Sequence, residues 1–104
     1  MNPAIDQARI RREALRWLVL LTLNNARPIG AFEGPILSVA QSEYPDATPI
    51  ELRRELDYLA DRELVRIDKQ PSGRWHAELT RFGTDVAEYT ITCEPGIARP
   101  AKYW

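Results

Sequence analysis

Residues 64–80 read "LVRIDKQPSGRWHAELT". Leu64, Val65 and Ile67 begin an alternating apolar run. Gln70-Pro71-Ser72-Gly73 breaks it, and Trp75, Ala77 and Leu79 alternate in a second run. Period-two alternation on both sides of a short Pro/Gly turn predicts an antiparallel hairpin with one apolar face. A single hairpin is marginal alone, so that face must be covered by helices.

The flanking sequence supplies them. Thr48-Pro49-Ile50-Glu51 has the capping-box pattern with proline at the first helical position. The helix it predicts turns Ile50, Leu52, Leu56, Leu59 and Ala60 inward and spreads Arg53, Arg54, Asp57, Tyr58 and Asp61 over other faces. Glu51 has a capping role in this reading. "EGPILSVAQSEYP" (33–45) predicts an earlier helix between Gly34-Pro35 and Pro45, with Ile36, Leu37, Val39, Ala40 and Tyr44 as its apolar face. "PIGAF" (28–32) is a short edge strand or a connector. The opening "MNPAIDQARIRREALRWLVLLTLNNARP" predicts a long first helix. Asn2 is its candidate cap, Pro3 suits its first position, and Asn24-Asn25 with Pro28 end it. Its apolar stripes are Ile10, Ala14, Trp17, Leu21 and Leu15, Leu18, Val19, Thr22. A helix apolar nearly all round in its second half is either central in its domain or partly buried by a second subunit. The second option gives the expectation of a homodimer through the first helix. After the hairpin, Thr80 caps a last helix, "RFGTDVAEYTI", with Phe82, Val86 and Tyr89 buried.

Length and charge narrow the classes. At 104 residues the chain is one domain with room for a modest core. The lone Cys93 and the lone His76 are too few for a disulfide or a zinc cluster. The apolar run from Trp17 is far short of a membrane span, and Asp6, Glu13 and "NNARPIG" do not fit a cleaved leader. The chain reads as cytoplasmic, with no membrane partner. A net charge of −1 makes no global electrostatic case for nucleic acid. The distribution is uneven, because residues 1–27 carry five arginines against two acids and residues 69–83 three bases against one. Arg9, Arg11, Arg12 and Arg16 form the densest basic cluster: a solvated helix surface, a DNA-flanking arm in a dimer, or a site for an acidic partner.

Helix, optional strand, helix, capped helix, hairpin, helix is the order of a winged helix-turn-helix, mostly α with a small β-hairpin. The residues resemble that superfamily over roughly 10 to 90. "LRRELDYLADRELVRID" (52–68) is similar to the stretch where its third helix runs into the wing. Leu79-Thr80-x-x-Gly83 is similar to its junction after the wing. Glu63 departs from the glycine that many relatives carry at the helix end. "CEPGIARP" (93–100) resembles the tails of small winged-helix proteins of Mu-like phages and prophages. This organisation makes 1–92 the winged helix-turn-helix domain and 93–104 an extended C-terminal tail. Ile97, Tyr103 and Trp104 would pack that tail onto the domain or onto a protein partner.

The resemblance implies binding to double-stranded DNA, with the third helix in the major groove and the wing on the backbone. Its candidate base readers are Thr48, Arg53, Arg54 and Asp57, with Glu51 nearby, and either arginine could bind guanine bidentately. Lys69, Gln70, Ser72 and Arg74 at the wing are candidates for phosphate contacts. Against this, Glu51, Glu55 and Asp57 lie three or four residues or fewer from the arginines and suggest solvated pairs along the helix. They also oppose a phosphate backbone. A protein-interaction module without DNA binding is therefore the second reading. Catalysis is not expected: His76 has no acid or cysteine beside it, Cys93 has nothing to lower its pKa, and no phosphate-binding glycine loop occurs. No cofactor or metal is implied.

Overall fold

The computed structural model describes residues 6–102. The expected roles of Asn2, Pro3, Tyr103 and Trp104 lie outside those residues. Helix α1 spans Gln7–Asn25, and the Asp6 carboxylate caps it by accepting from the Arg9 N–H. A two-residue strand β1 (Ala31–Phe32) leads into α2 (Glu33–Glu43), and α3 follows (Pro49–Asp61). Strands β2 (Val65–Lys69) and β3 (Trp75–Leu79) form the hairpin, and α4 (Arg81–Ala87) ends the regular structure.

Of the segment "PIGAF", Ala31 and Phe32 form a strand, after a turn that includes Pro28 and Ile29. Ala31 and Phe32 pair antiparallel with Ala77 and His76, so the hairpin is not alone but part of a three-stranded sheet in the order β1-β3-β2. Between β2 and β3 the register runs from Val65↔Leu79 to Lys69↔Trp75. The wing closes through Gly73 N–H to Gln70 C=O and Gln70 N–H to Arg74 C=O, both 2.9 Å. Gly73 takes φ 93°, where a side chain would be strained.

The core joins all layers. Val19, Leu20 and Leu23 of α1 meet Ile36 of α2, Leu52, Leu56 and Leu59 of α3, Leu64, Val65, Ala77 and Leu79 of the hairpin region, and Val86 of α4. Leu15, Ala40 and Ala47 form a smaller cluster. The apolar second half of α1 is thus covered within the chain, by α2, α3, α4 and β3. Trp17 sits edge-on against Tyr89, with ring centres 5.9 Å apart. The helix is central in the domain, while Trp17, Leu18 and Leu21 keep partial exposure. Ile10 and Ile50, both expected inward, are instead 54% and 66% exposed, because each lies near the N-terminal end of its helix, beyond the core.

Helix ends follow local chemistry. The Thr48 hydroxyl accepts from Glu51 N–H and the Thr80 hydroxyl from Gly83 N–H. Both α3 and α4 stop on the same device, in which the residue after the cap turns left-handed and two N–H groups reach back to the last turn. For α3 these are Glu63 (φ 63°) to Ala60 C=O and Leu64 to Leu59 C=O; for α4, Tyr89 (φ 62°) to Val86 and Thr90 to Asp85. That stop makes α4 shorter than expected, and Phe82, expected buried, is 41% exposed in its first turn. The Leu79-Thr80-x-x-Gly83 junction is a weld between wing and helix. The Thr80 hydroxyl donates to the Glu63 carbonyl at 2.7 Å, and a Cβ on Gly83 would lie 2.0 Å from the Leu64 carbonyl oxygen.

The tail folds back. Ala98 N–H donates to Glu13 C=O, Tyr89 Oη to Pro100 C=O, and Arg99 to the carbonyls of Val86 and Ile91. The architecture is a winged helix-turn-helix: a helical layer, with α2 and α3 as the helix pair, against a small antiparallel sheet.

Candidate nucleic-acid interface

Helix α3 has four sides, set by 3.6 residues per turn. Leu52, Leu56 and Leu59 face the core. Glu51 and Glu55 face α1, and Arg53 faces the wing. Ile50, Arg54, Asp57 and Asp61 form the outer side, and all are exposed.

The α1 side is closed by ion pairs. Arg11 donates from Nε and Nη2 to the two Glu51 oxygens at 2.7 and 2.8 Å, and from Nη1 to Asp46 at 2.9 Å. These bonds raise the Arg11 pKa and hold the Asp46 carboxyl below its ordinary value. Glu51 therefore serves Arg11, and its carboxylate does not complete the capping box. Deeper in, Arg16 donates to Glu55 at 2.7 Å and to the Gly96 carbonyl at 2.9 Å, and it lies 3.5 Å from the centre of the Tyr58 ring. Glu55 is only 4% exposed. Arg11 and Arg16, which the sequence groups with Arg9 and Arg12 as a basic cluster on a solvated surface, a DNA-flanking arm or an acidic-partner site, are ties between α1 and α3, Arg11 part-exposed and Arg16 nearly buried. Glu51 and Glu55 pair across to α1 rather than along their own helix.

The wing side is closed by Arg53. Its Nε and Nη2 each donate to Glu33 at 2.6 Å, Nη2 also reaches the Gly73 carbonyl at 2.7 Å, and the guanidinium lies over Trp75. Glu33 also accepts from Trp75 N–H at 2.8 Å. Hydrogen bonds from Arg53 pull the Glu33 carboxyl below its ordinary range against the opposing effect of burial, and Glu33 raises the Arg53 pKa in return. Arg53 is fixed between α2, α3 and the wing tip. Glu33, which sequence reasoning passed over, organises that junction; its one local sign is an acid in the first turn of a helix.

The other expected residues are spread over α3 and the wing. Thr48 caps α3 at its exposed end. Asp57 lies 3.7 Å from Lys69, whose ammonium also sits 4.4 Å over Trp75. The backbone of Gln70 closes the wing, and the Ser72 hydroxyl accepts from Arg74 N–H. The Arg74 guanidinium stacks 3.9 Å from the Phe32 ring centre. Arg54, by contrast, projects with no ion pair or hydrogen bond to another described residue.

His76 lies edge-on to Phe32 with ring centres 4.8 Å apart. Burial pushes the Cys93 thiol up, with Arg99 opposing and Glu94 adding to the rise. That favours the unreactive thiol. Among the described residues no three His, Cys, Asp or Glu gather as a metal site would need, and no helix is long and apolar enough to cross a membrane.

No protein-family model matches the chain, and no curated protein does. A crystal structure from Ralstonia eutropha JMP134, described as that of a "putative dna-binding protein", is similar at TM-score 0.62 and 27% identity. The match covers 75% of this chain and 95% of that one.

Proposed function

We propose that this chain is a DNA-binding winged-helix protein, acting as a small transcriptional regulator or as an accessory DNA-binding protein of a phage or prophage. The observation that carries the reading is the open outer side of α3, left uncovered between α1 and the wing. The likeness to a protein described as DNA-binding supports it. Helix α3 enters the major groove by its N-terminal turns, and the wing lies on the backbone.

In this reading the candidate contacts divide by their place on α3 and the wing. Arg54 is the unpaired arginine on the outer side and is the guanine reader. Thr48 and Asp57 flank it, and the Asp57 carboxylate can accept from a cytosine amino group. Arg53 positions the wing rather than reading a base, because leaving Glu33 would strand a half-buried carboxylate. Lys69, Gln70, Ser72 and Arg74 meet phosphates. A homodimer through the first helix would cover the exposed Ile10, and light scattering at micromolar concentration tests it.

The second reading, a protein-interaction module, draws on Asp57 and Asp61 beside Arg54 and on the arginines already neutralised within the fold. One experiment separates the two. Anisotropy of a labelled mixed-sequence duplex, read at two salt concentrations, should show binding that weakens steeply with salt. Arg54→Ala should then erase preference among sequences selected by the native protein. No binding at low salt removes the DNA reading, and retained preference removes Arg54 as its reader.

A further inference from the structure

Helix α1 runs farther than the core it serves. Its line of buried positions, Leu15, Val19 and Leu23, continues toward the N-terminus at the same helical spacing to Arg12 and Ala8, both exposed. The side that faces the core lower down therefore overhangs the start of α3. Ala8, Arg11 and Arg12 form one wall of a groove of about 270 Å³, and Glu51, Arg54 and Glu55 form the other.

The charges in that groove do not cancel evenly. Glu51 is held by two bonds from Arg11, and Glu55 by Arg16. Arg12 makes no ion pair or hydrogen bond with another described residue, and neither does Arg54 at the lip. Two uncompensated guanidiniums thus border a groove whose carboxylates are already engaged, and the small Ala8 leaves it open. Such a site suits an anion with several acceptor oxygens. It lies on the side of α3 away from the wing. A helix seated in the major groove has a phosphate strand on each flank, and the wing occupies only one.

We propose that the groove between the N-terminal turns of α1 and α3 receives a backbone phosphate of duplex DNA, held by Arg12. The second flank of the docked helix is thereby fixed. This rests on the DNA-binding reading above.

The test is the salt dependence of binding to a fluorescein-labelled duplex, for the native protein, Arg12→Gln and Arg9→Gln. Arg9 is exposed on the same helix but already paired with Glu13, so it controls for net charge. Losing one phosphate contact should reduce the slope of log K against log salt by about 0.9. The affinity deficit of Arg12→Gln should then be roughly 3.5-fold larger at 50 mM than at 200 mM salt. Arg9→Gln should keep the native slope. A native slope in Arg12→Gln, or an equal loss in both variants, overturns the groove assignment while the DNA reading stands. If the native protein itself fails to bind at low salt, both fall together.

Discussion

Replacing Arg16 by methionine should cost this domain a large part of its stability. The side chains of Arg16 and Glu55 are 11% and 5% exposed, so the pair is shielded from solvent on both sides. Methionine keeps the apolar stem against Tyr58 but leaves the Glu55 carboxylate buried without a counter-charge and the Gly96 carbonyl without its donor. Breaking one side of a buried pair costs about 3–5 kcal/mol, against a total of about 5–15 kcal/mol for a domain. At a urea m-value near ~1.5 kcal/mol/M this lowers the unfolding midpoint by about 2–3 M. The assay is urea denaturation followed by circular dichroism. A second variant, Arg16→Met with Glu55→Leu, removes the stranded charge and should recover at least ~2 kcal/mol, a coupling that contacting residues show and distant ones do not. A single-variant loss under about 1 kcal/mol, or a double variant no better than the single one, would refute the claim that this pair is buried and mutually dependent.

Glu63→Gly should stabilise the protein, because a non-glycine left-handed residue costs about 1–2 kcal/mol and glycine's extra backbone entropy returns about 0.5–1. The expected rise in Tm is about 2–6 °C, and a fall would show that the helix end is not strained. Glu33 gives a pH signature. Its carboxyl is depressed below its ordinary 4.5 by Arg53, so its contribution is present above that pH and lost as pH falls through the folded value. Glu33→Gln should be less stable at pH 7 yet lose less on acidification below pH 4.5; parallel acid curves for both proteins would exclude Glu33 as the titrating group.

Much of the fold was legible because its signals are local. Thr48 and Thr80 cap as their sequence context implies, Pro71-Ser72-Gly73 turns, and Trp75, Ala77 and Leu79 alternate into the core. Strand β1 is ambiguous between strand and connector in the sequence, since two residues carry no periodicity and their pairing with Ala77 and His76 is a tertiary fact. The charges were harder to read. Arg53 has acids two and four residues away on its own helix, yet it pairs with Glu33, twenty positions earlier. Arg16 finds Glu55 only because α1 crosses α3. Spacing along one helix ranks its own neighbours and says nothing of the helix packed against it. For the candidate interface this separates two adjacent arginines that the sequence ranks equally: Arg53 is tied to Glu33 and the Gly73 carbonyl, and Arg54 has no such partner among the described residues.

The strand order β1-β3-β2 has a consequence for how the chain is made. The strand synthesised last stands in the middle of the sheet, so neither Ala31–Phe32 nor Val65–Lys69 has its partner until Trp75–Leu79 follows. A nascent chain that has completed α1, α2, α3 and β2 but not β3 still holds two unpaired strands, and the core around Leu20, Leu56 and Leu59 lacks Ala77, Leu79 and Val86. Ribosomal stalling or truncation before residue 75 would therefore leave a sticky fragment rather than a smaller folded unit.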